Sequence, residues 1–224
     1  MKSNIKIATA VTAGVLAIGG VLTGGAVAAG TGSAPTPERD LQQQMMTGGQ
    51  HHSGHGDGTY DTRRDGSCTG YTAPASQGTL TAAQKATLAS TAEEEKLAHD
   101  LYTAFAERYD VRVFQRIAEA ETQHLTAVRT LLDRYDVTDP TADKAAGEFT
   151  EPAVRATYDR LLKQGEDSLT GALAVGRTVE TDDIAALTKA LSGLTAPDTR
   201  QVYTNLLAAS ERHLAAFERW IAVE

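Results

Sequence analysis

The sequence predicts an all-α chain whose folded part is a bundle of four long helices. Three observations lead there. Between Thr79 and the end of the chain, apolar residues recur at alternating steps of three and four, the repeat of a helix with one buried face. The break at Asp110-Val111-Arg112 is short and implies an antiparallel neighbour, whereas a long connection from Val137 to about Gly165 separates two helix pairs. Each of the four stripes is interrupted near mid-length by residues of metal-ligand type.

The 224 residues carry a formal charge of -8, with the two signs interspersed and no basic stripe, so nucleic acid is not an expected partner. Lys2 and Lys6 precede an uncharged run from Ile7 to about Gly25, and Ala26-Val27-Ala28 has the form of a cleavage site. Residues 1–29 are therefore expected to be a signal peptide, giving a secreted or cell-envelope protein with no membrane attachment after cleavage. An uncleaved anchor is the alternative. Residues 30–78 are poor in large apolar side chains and rich in Gly, Ser, Thr, Pro, Gln and His, the composition of a disordered tether. Within it, Met45, Met46, His51, His52 and His55 offer soft or borderline donors for copper or zinc, or simply form a solvated linker. Cys68 is the only cysteine, so no intrachain disulfide forms.

The bundle is expected over 79–224. Thr81 is a candidate N-cap for a first helix running to about Tyr109, with Leu88, Glu95, Ala98, Tyr102, Phe105 and Tyr109 on one face. Of the run Glu93-Glu94-Glu95, only Glu95 keeps register with that face. A solvated acidic face suits Glu93 well and Glu94 less well. The second helix carries Phe114, Ile117, Glu121, His124, Val128, Leu131 and Tyr135. Glu121 and His124 are three apart and overlie one another on an otherwise apolar face. The crossover holds one short helix, Pro152 to Lys163, with Pro in its first turn. The third long helix, about Ser168 to Leu191, shows Leu169, Leu173, Gly176, Glu180, Asp183 and Leu187. Gly176 there leaves room for a ligand or a closely packed helix. The fourth, about Pro197 to Ala222, shows Val202, Leu206, Ser210, His213, Phe217 and Trp220. His99 lies beside the first stripe.

A carboxylate in an apolar face is costly unless something there uses it. Glu95, Glu121, His124, Glu180, Asp183 and His213 are expected to converge at one depth of the core. Four acids and two imidazoles match the ligand count of a two-metal carboxylate site, and two divalent cations would remove the mutual repulsion of the acids.

Glu-Glu-Glu-Lys-Leu-Ala-His-Asp-Leu-Tyr (93–102), Ile-Ala-Glu-Ala-Glu-Thr-Gln-His (117–124), Thr-Val-Glu-Thr-Asp-Asp-Ile (178–184) and Ser-Glu-Arg-His-Leu (210–214) carry a resemblance. With them, residues 79–224 resemble a ferritin-like domain of the rubrerythrin type, and most closely the ferritin-like family known as domain of unknown function 2202. The resemblance implies an up-down, long-crossover, up-down bundle. It also implies a di-iron or di-manganese centre acting on peroxide, dioxygen or ferrous iron, with Tyr102 donating a hydrogen bond behind the ligands. The usual fourth-helix Glu-x-x-His is Ser210-x-x-His213 here, and Asp183 is the candidate replacement for the lost carboxylate. There is no Cys-x-x-Cys to hold a rubredoxin-type electron donor. A metal-binding module without turnover, or a structural helical module with a metal-free polar network, are the competing readings. The expected partners are metal ions and a small oxidant, and a homodimer stays open.

Overall fold

The computed structural model describes residues 75–224. Among these there are five helices and no strand: α1 (Ala82–Tyr109), α2 (Arg112–Arg134), α3 (Pro152–Gly165), α4 (Leu169–Leu191) and α5 (Pro197–Ile221). The four long helices and the short crossover helix fall where the sequence pattern places them. The signal peptide, the His/Met-containing tether and Cys68 lie outside the described residues. None of the described helices is long and apolar enough to cross a membrane.

Local chemistry sets the boundaries. Thr81 and Gln84 form a reciprocal capping box at the start of α1: the Gln84 N–H donates to Thr81 Oγ1 at 3.2 Å and the Thr81 N–H donates to Gln84 Oε1 at 2.9 Å. Asp110 ends α1 in the left-handed region at φ 49, a conformation Asp tolerates better than most residues, and α2 starts two residues later. Ser168 caps α4, and Pro152 and Pro197 occupy the first turns of α3 and α5, where a missing N–H costs nothing.

The helices form two hairpins, α1 with α2 and α4 with α5. The hairpins meet where α1 packs on α4 and α2 on α5, and α3 lies against α1 and α4. The buried apolar residues separate into two clusters. One is built around Leu101, Tyr102, Phe105, Phe114, Ile117, Leu173 and Phe217. The other is built around Leu88, Val128, Leu131, Leu132, Leu187, Val202 and Leu206. Between them, along each long helix, come the buried polar residues Glu95, Glu121, His124, Glu180, Ser210 and His213. The core is thus two apolar layers with a polar layer between.

The acidic run of α1 departs from expectation at its first member. Glu93 is not part of a solvated face: it is 1% exposed, and its Oε1 accepts the N–H groups of Thr150 at 2.6 Å and Glu151 at 3.1 Å. Those groups lie at the start of α3, where free N–H donors and the positive end of the helix dipole attract a carboxylate. The partners are more than fifty residues away in sequence, which is why helix register alone does not reveal the contact. Lys96 and Asp100 extend the clamp. Lys96 pairs with Asp100 and donates to the Ala145 carbonyl at 2.8 Å, and the Gly147 N–H donates to Asp100 at 2.9 Å. One edge of α1 therefore fastens the crossover while another face builds the polar layer.

Gly176 serves close packing. A Cβ at this position would meet the Phe217 ring at 2.6 Å. The ring belongs to a buried aromatic group in which Tyr102 and Phe217 lie 5.3 Å apart and Phe114 and Phe217 lie 5.6 Å apart. Gly176→Ala gains helix propensity of about 1 kcal/mol, but overpacking a core costs about 1–3 kcal/mol. We expect the melting temperature to fall by roughly 2–6 °C. A rise, read by differential scanning calorimetry, would show that the ring yields freely.

Candidate metal centre

Each long helix brings one or two side chains to the polar layer. α1 supplies Glu95, α2 supplies Glu121 and His124 one turn apart, α4 supplies Glu180, and α5 supplies His213; all five are at most 6% exposed. They form two groups. Glu95, Glu121 and His124 place one donor atom each within 4.8 Å of the others, and Glu121, Glu180 and His213 do the same. Glu121 belongs to both. Its Oε2 lies 2.6 Å from His124 Nδ1, and its Oε1 lies 3.0 Å from His213 Nδ1. Glu95 Oε2 is 3.4 Å from His124 Nδ1, and Glu180 Oε2 is 3.6 Å from His213 Nδ1. The two imidazole rings are stacked with centroids 5.5 Å apart.

Electrostatics separates the three acids. Burial pushes Glu121 up, but the two histidines on either side outweigh it and hold this carboxyl well below its usual range. Glu95 has only His124 to offset burial and rises to about 8. Burial also raises Glu180, against the pull of His213 and of Tyr102, whose hydroxyl donates to Glu180 Oε1 at 2.6 Å. Tyr102, fully buried and next to Glu180 and Glu121, is itself held well above its ordinary value by burial and by those two acids.

Asp183 stands apart from both groups. It accepts a hydrogen bond from the Ser210 hydroxyl, while its Oδ1 is sealed from solvent with no hydrogen-bond partner. Asp183 is half-buried as a residue, yet this oxygen is not. Burial, then the charge of Glu95, push the Asp183 carboxyl well above its ordinary range. Five of the six side chains singled out as ligands therefore meet in two adjoining groups, and the sixth lies one turn along α4 on the fourth-helix serine. His99 does not join them; it is bonded through Nδ1 to Asp100 at 3.0 Å. Register cannot tell which carboxylate is shared, because Glu95, Glu121 and Glu180 are equivalent as stripe positions.

The donor set fits divalent cations. Carboxylate oxygens and imidazole nitrogens suit zinc, iron and manganese, the atoms of each group are already gathered, and Glu95 Oε1 is buried without a hydrogen-bond partner. A buried acceptor left unsatisfied costs about 1–3 kcal/mol, more when charged.

Comparison with known proteins gives this layered helical architecture a family. Residues 84–224 match the family described as an uncharacterized protein domain, DUF2202. The chain belongs to that family. It is similar to the uncharacterized protein MJ0754 of Methanocaldococcus jannaschii, 38% identical over 129 residues that make up 58% of this chain and 70% of the relative. The crystal structure described as hypothetical protein MJ0754 superposes with a TM-score of 0.64 at 34% identity, covering 67% of this chain and 86% of that one.

The raised carboxyls set a pH dependence for the metal-free protein. Glu95 moves from 4.5 to about 8 on folding, so its contribution to stability is fully present below 4.5 and is lost as pH rises through about 8. Asp183 and Glu180 act in the same direction. Glu121 acts oppositely, but its depressed value confines its effect to pH below its ordinary 4.5. Calorimetry in chelator is expected to show a melting temperature that falls between pH 5 and 8, a slope that saturating divalent cation removes. A metal-free protein that becomes more stable across that interval would contradict the burial of these groups.

Proposed function

We propose that the chain is a ferritin-like protein of the rubrerythrin type whose polar layer holds two divalent cations, iron or manganese, and uses them in redox chemistry on peroxide, dioxygen or ferrous iron. The observation that carries this reading is the membership of Glu121 in both donor groups. A carboxylate with one oxygen toward each histidine is placed to serve two cations at once. Glu95 and His124 would hold one cation with it, and Glu180 and His213 the other. Asp183 supplies a fourth negative charge, so that four carboxylates balance two divalent ions. Tyr102 holds Glu180 by its hydrogen bond and limits the orientations of that carboxylate.

Two such cations, when bound, supply electron transfer with small oxidants. The protein's part is to hold the donors fixed, to keep bulk water out through the apolar clusters on either side, and to keep Glu180 oriented. The single cysteine allows no Cys-x-x-Cys pair for a rubredoxin-type electron donor within these residues. That same feature favours the second reading, a metal-binding module without turnover. The N-terminal pattern of Lys2, Lys6 and Ala26-Val27-Ala28 supports placing the protein outside the cytoplasm.

Plasma metal analysis of protein purified without a histidine tag is expected to give two ions per chain. Glu121→Gln, which removes the shared charge, is expected to lose both. Asp183→Asn keeps the volume, removes the charge and is expected to hold about one. Peroxide or ferrous-iron turnover by wild type distinguishes an enzyme from a binding module. Metal-free wild type that also refuses added iron and manganese would leave a purely structural polar network.

A further inference from the structure

The solvent-facing side of the first hairpin carries a feature that the centre does not use. An open groove of about 510 Å3 runs between α1 and α2, the size of a small-molecule site. Half-buried Ala106 and buried Ala118 give it a small apolar floor. Its ionisable lining is His99 with the exposed acids Glu107, Asp110 and Glu119, and no lysine or arginine lines it. Among the described residues these three carboxylates make no hydrogen bond or ion pair, so nothing in the groove balances their charge.

His99 is held in place from behind. Its Nδ1 lies 3.0 Å from Asp100 Oδ1, and Asp100 Oδ2 accepts the Gly147 N–H at 2.9 Å and pairs with Lys96. A carboxylate can only accept, so Nδ1 carries the proton of the neutral ring and Nε2 keeps its lone pair. That nitrogen has no partner among the described residues. A fixed acceptor beside unbalanced carboxylates suits a cation that carries N–H donors. A metal ion is served less well: among the described residues, the groups that gather three metal donors lie in the polar layer, and none includes His99. Shape favours an elongated ligand. About 16 Å along the helix axis separates His99 from Asp110, at 1.5 Å per residue. Glu107 and Asp110 stand toward one end of the groove and His99 stands at the other, a span that a single ion cannot bridge.

We propose that this groove binds an aliphatic polyamine, a flexible chain with ammonium groups at both ends. One ammonium group donates to His99 Nε2. The other lies against Glu107 and Asp110, and Glu119 adds charge from the α2 side. The methylenes between them rest on Ala106 and Ala118. The site uses no residue of the polar layer, so it stands or falls apart from the two-cation reading.

The test is isothermal titration calorimetry of the full-length protein with spermidine. Saturable binding of one spermidine per chain is expected. Glu107→Gln with Glu119→Gln is expected to weaken it about tenfold or more, the scale set by losing charge-assisted hydrogen bonds. Glu211→Gln with Glu218→Gln removes the same charge from exposed positions of α5 and is expected to leave affinity unchanged. In nitrogen-15 spectra of labelled histidine, the ring signals of His99 are expected to move on adding spermidine. Absence of saturable binding would overturn the proposal. Equal weakening by the two double variants would do so as well, since binding would then follow net charge alone. Unmoved His99 signals would place the ligand elsewhere, and displacement of spermidine by an equal concentration of Mg2+ would make the groove a site for inorganic cations.

Discussion

The structure depends on the burial of Glu121. A carboxylate 2% exposed, in the middle of a helical core, must be met from both sides, and His124 and His213 meet it at 2.6 and 3.0 Å. The first histidine lies one turn along the same helix; the second comes from the other hairpin. Bringing them together sets the depth at which α2 packs on α5. The apolar residues then have only two places to go, and they form one cluster on each side of the polar layer. Burial of ionisable groups is poor evidence of stability by itself, since apolar replacements often do as well. A polar layer of this kind points to use.

The two hairpins repeat a pattern and then break it. α1 and α2 contribute Glu95 and Glu121-x-x-His124; α4 and α5 contribute Glu180 and Ser210-x-x-His213. Where α2 has the shared carboxylate, α5 has a serine, and the second donor group borrows Glu121 instead. Three residues after Glu180 stands Asp183, hydrogen-bonded by that serine, whereas three residues after Glu95 stands the buried Ala98. One carboxylate has in effect moved from the second helix of a hairpin to the first. The two halves of the centre therefore differ in how their carboxylates are arranged.

Much of this was legible in the sequence because it obeys helical periodicity. The five helices, the Thr81 cap and the inward positions of Glu95, Glu121, His124, Glu180 and His213 all follow from steps of three and four. Contacts between distant segments were not legible. Glu93 reads as a solvated acid until the start of α3 is seen to rest on it. Gly176 reads equally as space for a ligand or for a neighbour, and only the Phe217 ring decides between them. Which acid is shared between the donor groups depends on side-chain direction across the bundle, and stripe position does not carry that information.

The central claim, two cations joined through Glu121, is tested most directly by anomalous diffraction from crystals grown with Mn2+. The account predicts two anomalous peaks in the polar layer, about 3.5–4 Å apart as in other two-metal sites. One should lie against Glu95 and His124, the other against Glu180 and His213, with Glu121 touching both. Anomalous density confined to the surface, or a single interior peak that Glu121 does not touch, would contradict it.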